Sequence, residues 1–326
     1  TELRNPNADY YTPEQQIGKY DDQRPWETCM TLGTQWSWKP NDRVKSTQEV
    51  IHILARVVGG DGNLLLNVGP MPDGRIEPRQ VEVLREVGTW LQKNGESIYG
   101  TRGGPFKPTS ALTSTRKGNV IYIHILKPGG ETITLPPLPK KIIQSQLLTG
   151  AAVPVVQTDS GITLTVPQPD SENADTIVKL TLDGSAQDIP ALDVTHPGVI
   201  KPNMKATASN TYRRDSTHGP DKAIDGDDET RWATDTGTKQ AWLEVDLGQP
   251  TTFDAVEIDE VYDRVRSFEL QYQDGGEWKT FYRGTTLGEQ FSAKFSSVTA
   301  QRVRLNVLDA TDGPTITEFR LLHHPK

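Results

Sequence analysis

The chain has 326 residues, 34% hydrophobic and 24% charged, with a formal net charge of −8, which is the composition of a globular protein long enough for two or three domains. No run approaches the roughly 18 apolar residues of a membrane-spanning helix and no basic cluster marks a nucleic-acid footprint, so membranes and nucleic acid drop out as principal partners. A single cysteine, Cys29, excludes an internal disulfide framework and a cysteine-based zinc site.

The N-terminal TELRNPNADYY has neither the basic nor the apolar region of a signal peptide. Next comes YTPEQQIGKYDDQRPWETC, which sets Glu14 and Glu27 among Tyr10, Tyr11 and Trp26. Carboxylates beside aromatic rings are either badly solvated or put to use, and carbohydrate chemistry often uses that pairing. TCMTLG reads as a short strand. STQEVIHILARVV carries a capping box in Ser46 and Glu49 and helical spacing of Val50, Ile51, Leu54, Val57 and Val58. NLLLNVGP is too short for a helix and suits a strand buried on both faces, and PRQVEVLREVGTWLQKN is predicted to be a helix running from Pro78 to just before Gly95. Strand, helix, strand, helix over residues 1–100 is the order of a parallel α/β sheet.

From 101 to 190 the pattern changes to short alternating strands, GNVIYIHIL, TITL, KIIQSQLL, GITLTV and TIVKLTL, with KPGGE as a tight turn. This predicts a small antiparallel sandwich. A proline-bearing linker covers 191–203. Residues 204–326 hold a second all-β unit, with AWLEVDLG, FDAVEID, SFELQYQ, EWKTFY and RVRLNVL as separate strands and Trp232 and Trp242 in its core.

DYYTPEQ, RPWETCMTLGTQWSW, GGDGNLLLNVGPMPDGRI and GTWLQKNGESIYGTR together resemble the C-terminal part of the catalytic barrel of a glycoside hydrolase family 29 α-L-fucosidase. The resemblance implies a partial (β/α)8-like barrel followed by two antiparallel sandwiches, and a bacterial-type retaining enzyme acting on α-1,3/4-linked fucose of branched glycans. It also implies a secreted, periplasmic or cell-surface location. Retaining hydrolysis needs two carboxyl groups about 5–5.5 Å apart, and the acid must keep its proton near neutral pH, which aromatic walls favour. By the resemblance Glu14 is the acid/base, with Glu27 the competing candidate. Trp36 would line the C6 methyl of fucose and Arg4 would contact the sugar.

The family's nucleophile is an aspartate on an earlier strand, and only thirteen residues precede Glu14. A complete (β/α)8 barrel takes ~250 residues, against about 100 in this segment. The chain is therefore expected to be the C-terminal part of a longer enzyme, or to have its barrel completed by a partner chain or by dimerisation. Asp9, Asp21 and Asp22 share the Glu14 loop and make poor substitutes.

DKAIDGDDETRW, AWLEVDLG and ITEFRLL resemble the discoidin or factor V/VIII type C fold, which includes family 32 carbohydrate-binding modules. That resemblance implies a structural Ca2+ held by side chains of Asp225, Asp227, Thr230 and Glu318 and by the carbonyls of Lys222 and Thr317, since hard oxygen ligands suit this ion. Tyr212, Arg213, His218, Tyr262 and Arg264 are the candidate sugar contacts of its loops. A non-catalytic carbohydrate-binding protein is the alternative function, and a structural adhesin segment is a third.

Overall fold

A computed structural model describes residues 8–109, 111–126, 132–167, 174–194, 199–200, 204–226, 230–288 and 291–323. Arg4, Asp227 and the KPGGE turn lie outside the described residues. The chain divides into two compact units, Thr1–Thr195 and His196–Lys326, so the α/β segment and the first sandwich belong to one unit. No helix among the described residues is long and apolar enough to cross a membrane.

The α/β segment contains β1 (Glu27–Thr31), α1 (Thr47–Gly59), β2 (Asn63–Asn67) and α2 (Pro78–Asn94). Both halves of the capping box form: the Ser46 hydroxyl accepts from the Glu49 N–H, and the Glu49 carboxylate accepts from the Ser46 N–H. Val50, Ile51, Ala55 and Val57 are buried on α1, and Leu32, Val50, Ile51 and Val87 form a core with Leu66, Leu84 and Leu91 packed against it. β1 and β2 pair in parallel, Cys29 opposite Leu65. Residues 11–14 run beside β1 in the same direction, with Tyr11 bridged to Trp26 and Glu14 to Cys29.

β2 is not buried on both faces. Leu64 is half-buried and Leu66 packs toward the helices, but Leu65 is 53% exposed. Side chains alternate across a strand, so Cys29 and Leu65 share the face that a closed barrel would turn inward. Among the described residues β2 pairs with β1 alone, and nothing covers that face.

Trp26 locks the base of this sheet. Its ring is 4% exposed, its indole N–H donates to the Gly60 carbonyl at 3.1 Å, and a Cβ on Gly62 would lie 2.3 Å from the ring.

The first sandwich pairs a sheet of β3 (Arg102–Gly103), β4 (Leu112–Lys117), β5 (Val120–Ile125), β10 (Thr176–Leu182) and β7 (Ile142–Leu147) with a second of β6 (Thr132–Leu135), β9 (Gly161–Thr165) and β8 (Val155–Thr158). Phe106, Ile121, Ile123, Ile162, Leu164, Val178 and Leu180 fill its core. This is the antiparallel sandwich the alternating pattern predicts.

The second unit holds β11 (Lys205–Ala208), β12 (Trp232–Ala233), β13 (Ala241–Glu260), β14 (Val265–Asp274), β15 (Glu277–Gly284), β16 (Phe291–Ala310) and β17 (Thr315–Leu322). AWLEVDLG and FDAVEID, expected as two strands, form the single strand β13. Its ladder with β16 shifts register between Asp246 and Thr251, so the Gln249–Pro250 step bends the strand instead of ending it, as strands do when they serve both layers of a sandwich. Trp232, Phe253, Phe268 and Phe319 are buried in the core. Trp242 is not. Ala241, Leu243 and Val245 point inward, so Trp242 faces out and lies against Arg304, whose guanidinium is 4.7 Å from its ring and 3.9 Å from that of Trp278.

Candidate active site and ligand loops

Three parallel segments, 11–14, β1 and β2, deliver polar groups to one end of the sheet. Glu14 closes the first, the loop after β1 carries Trp36, and Asn67 ends β2. The Trp36 indole N–H donates to Glu14 Oε1 at 3.0 Å, and Asn67 Nδ2 donates to the Trp36 carbonyl at 2.9 Å. These groups stand at the C-terminal ends of parallel strands, the end at which barrel enzymes assemble their sites. Glu14 and Trp36 are both exposed, Trp36 by 40%, so both side chains can be reached from solvent.

Glu27 sits at the opposite end. It is the first residue of β1, and its carboxylate accepts from the side chain of Asn63, the first residue of β2. Asp21 caps the N–H groups of Gln23 and Arg24, at 2.9 and 3.2 Å, and Asp22 accepts from the Tyr20 hydroxyl and from Gln23 Nε2. Both are thus engaged in the turn itself.

The Trp36 loop is braced at its base. Asp42, 4% exposed, accepts from the Thr34 hydroxyl at 2.6 Å and its N–H at 2.9 Å, with Lys39 at 3.2 Å. The Thr34 hydrogen bonds hold its pKa down to about 2. Lys45 Nζ donates to the Thr31 carbonyl at 2.6 Å. Gln15 takes a left-handed φ of 56°, and its Oε1 accepts from the Thr31 N–H at 3.3 Å, which ties the Glu14 segment to the end of β1. The sequence reading passed over Asn67, Gln15 and Asp42. A polar residue ending an apolar strand, as Asn67 ends NLLLN, was the available signal.

In the second unit, oxygen donors converge near the start of the module. The Thr230 hydroxyl lies 2.9 Å from both Asp225 carboxylate oxygens and 3.2 Å from the Lys222 carbonyl, and Glu318 Oε1 accepts from the Gly226 N–H at 2.7 Å. The far end of the chain therefore meets the early loop. Thr317 lies alongside, its hydroxyl donating to the Asp259 carbonyl at 3.1 Å. These are hard oxygen ligands and fit a calcium ion in kind. Among the described residues no three acidic, histidine or cysteine side chains group around one point, and the Lys222 ammonium stands 3.3 Å from Asp225.

The candidate sugar contacts of the module form two clusters. The Tyr212 ring meets His218 edge-on at 5.5 Å, and the Arg213 guanidinium lies 5.0 Å from the same ring. Arg213 and Arg214 both have left-handed φ, 50° and 56°, a conformation unusual for side-chain-bearing residues. Asp235 stabilises this turn by accepting from the Arg213 N–H at 2.7 Å and Asn210 Nδ2 at 3.0 Å, hydrogen bonds that hold its carboxyl below the usual range. A cleft of about 560 Å³ opens here, lined by Ser209, Asn210, Thr211, Arg214, Asp215 and Asp235. In the second cluster the Arg264 guanidinium lies 4.4 Å from the Tyr262 ring and donates to the Gly313 carbonyl at 2.9 Å.

The α-L-fucosidase family model matches residues 1–96, and that of the F5/8 type C domain matches residues 205–320. An α-L-fucosidase of Dictyostelium discoideum is 31% identical over 186 residues, 51% of this chain and 40% of that protein. One of Branchiostoma floridae is 41% identical over 101 residues, 30% of this chain and 21% of that protein. Among solved structures, α-L-fucosidase isoenzyme 1 from Paenibacillus thiaminolyticus is 32% identical with a TM-score of 0.49, over 54% of this chain and 45% of that one. The chain thus spans less than half the length of these relatives. The two curated relatives are eukaryotic, so they do not select a bacterial branch. Taken together, the chain joins an incomplete barrel homologous to the catalytic region of family 29 α-L-fucosidases to a separate F5/8 type C domain.

Proposed function

We propose that this chain is the C-terminal portion of a retaining α-L-fucosidase that removes terminal α-1,3/4-linked fucose from branched glycans, with Glu14 as its general acid/base. The observation that carries this reading is the Trp36 to Glu14 hydrogen bond at the C-terminal ends of three parallel strands. In this scheme Glu14 protonates the leaving glycosidic oxygen, then deprotonates the water that releases the sugar. The Trp36 indole fixes the carboxyl and offers an apolar wall for the fucose methyl, and Arg4 reaches the sugar. Glu27 keeps a structural role, bonded to Asn63.

The nucleophile comes from outside these 326 residues, on a preceding segment or another chain that also covers the exposed face of Leu65. In the type C module, calcium bound by Lys222, Asp225, Asp227, Thr230, Thr317 and Glu318 would pin the early loop to the last strand and take no part in catalysis. Tyr212, Arg213, His218, Tyr262 and Arg264 supply stacking faces and donors for a glycan, and a secreted, periplasmic or cell-surface location is the one proposed with this substrate.

The test is hydrolysis of an aryl α-L-fucoside by the purified chain beside Glu14→Gln, with the mass in solution measured. The chain alone should show no turnover, and the chain combined with the N-terminal portion of a related α-L-fucosidase that completes the barrel should show turnover that Glu14→Gln removes. Turnover that survives Glu14→Gln sinks the assignment. A well-folded, inactive chain that still binds fucosylated glycans would support the alternative, a carbohydrate-binding protein.

A further inference from the structure

Glu260 closes β13 and is 1% exposed. A carboxylate is expensive to bury unless its lone pairs are taken up, and here the partners are backbone N–H groups instead of a basic side chain. Oε1 accepts from Arg264 at 2.9 Å and from Val265 at 3.0 Å, Oε2 accepts from Val265 at 3.3 Å, and the Gly288 N–H also donates to the carboxylate. Burial pushes its pKa up, against the pull of these hydrogen bonds, and the nearby charge of Asp263 adds to the rise.

What these bonds hold is the 261–264 loop. Both of its stems are tied to the strand or turn beside them, Val261 N–H to the Thr315 carbonyl at 3.1 Å and the Arg264 carbonyl to the Thr311 N–H at 2.8 Å. Asp263 takes a left-handed φ of 46° at the tip. The Tyr262 ring remains 52% exposed, with Arg264 against it. A buried carboxyl group thus organises a loop whose aromatic side chain is left open to solvent.

We propose that Glu260 is a positioning residue for ligand capture, its buried carboxylate fixing the 261–264 loop so that Tyr262 and Arg264 form a ready-made sugar-stacking platform. This rests on the reading of the module as a glycan binder. Such pre-organisation removes the ordering cost from binding.

The experiment titrates the full chain with an α-1,3-fucosylated trisaccharide and compares wild type, Glu260→Gln and Tyr262→Ala. Amide NMR signals of Arg264 and Val265 report on the carboxylate contact. Wild type should bind, Glu260→Gln should weaken Kd about tenfold with both amide signals displaced, and Tyr262→Ala should weaken it at least as much with those signals in place. Should Glu260→Gln not fold, Glu260→Asp, which keeps the charge and shortens the reach, gives the same readouts. Unchanged affinity or unmoved amides in a folded Glu260 variant overturns the role of Glu260 alone. Failure of wild type to bind overturns the glycan reading, and the role in capture with it.

Discussion

Gly62→Ala tests how tightly the candidate site is built on the base of its sheet. The new Cβ would stand 2.3, 2.4 and 2.5 Å from three atoms of the Trp26 ring, where carbon atoms normally keep about 3.5–4.0 Å. The ring cannot retreat freely, because it packs against the backbones of Gly18 and Gly60, where an added Cβ would stand only 2.9 Å from it, and its N–H is bonded to the Gly60 carbonyl. Overpacking of this kind costs about 1–3 kcal/mol, and losing the buried hydrogen bond adds about 1 kcal/mol. Gly62→Ala should therefore destabilise the first unit by about 2–4 kcal/mol, a large part of the ~5–15 kcal/mol of an ordinary domain. Urea unfolding followed by tryptophan fluorescence measures it, and because Trp26 bridges to Tyr11, order in the Glu14 segment should fall with it. A loss below about 0.5 kcal/mol, the range of unremarkable surface changes, would refute the reasoning.

Gly88, within α2, is the converse case, since a Cβ there meets nothing within 4 Å; Gly88→Ala should stabilise the same unit by about 0.5–1 kcal/mol in the same urea titration. Calcium at a hundred times its Kd should stabilise the type C module by about 2.7 kcal/mol, seen as a Tm that falls on chelation and becomes insensitive to calcium in Asp225→Asn; no response to the chelator counts against the site. The Thr34 hydrogen bonds hold the Asp42 pKa down to about 2, against about 4 for a free aspartate, so its contribution is present above about pH 4 and lost as pH falls toward 2. Thermal melts of wild type and Asp42→Asn should accordingly differ at neutral pH and converge in acid.

Much of the fold was legible because its signals are local. Ser46 with Glu49 and Pro78 before an apolar period mark helix starts without reference to anything distant, and both helices begin there. What escaped depended on register or on backbone partners. Trp242 looks like core until the alternation of Ala241, Leu243 and Val245 fixes which face it takes. NLLLN looks buried on both sides because composition does not say how many strands stand beside it. The Glu14 to Trp36 contact spans 22 positions and depends on a loop held by Asp42, so the family resemblance suggested the two partners and only the structure joined them. Glu260 gave no signal in the sequence, since the N–H groups it gathers belong to Arg264, Val265 and Gly288 and leave no mark in side-chain identity.

The assignment of Glu14 over Glu27 is the centre of the account, and the direct measurement is kcat for an aryl α-L-fucoside in a barrel completed with the N-terminal portion of a related α-L-fucosidase. Glu14→Gln should lower kcat about 10²–10⁴-fold, with the loss smallest for leaving groups that need no proton, while Glu27→Gln should change it only a few-fold at matched folding. The reverse pattern, Glu27→Gln inactive and Glu14→Gln near wild type, would contradict it.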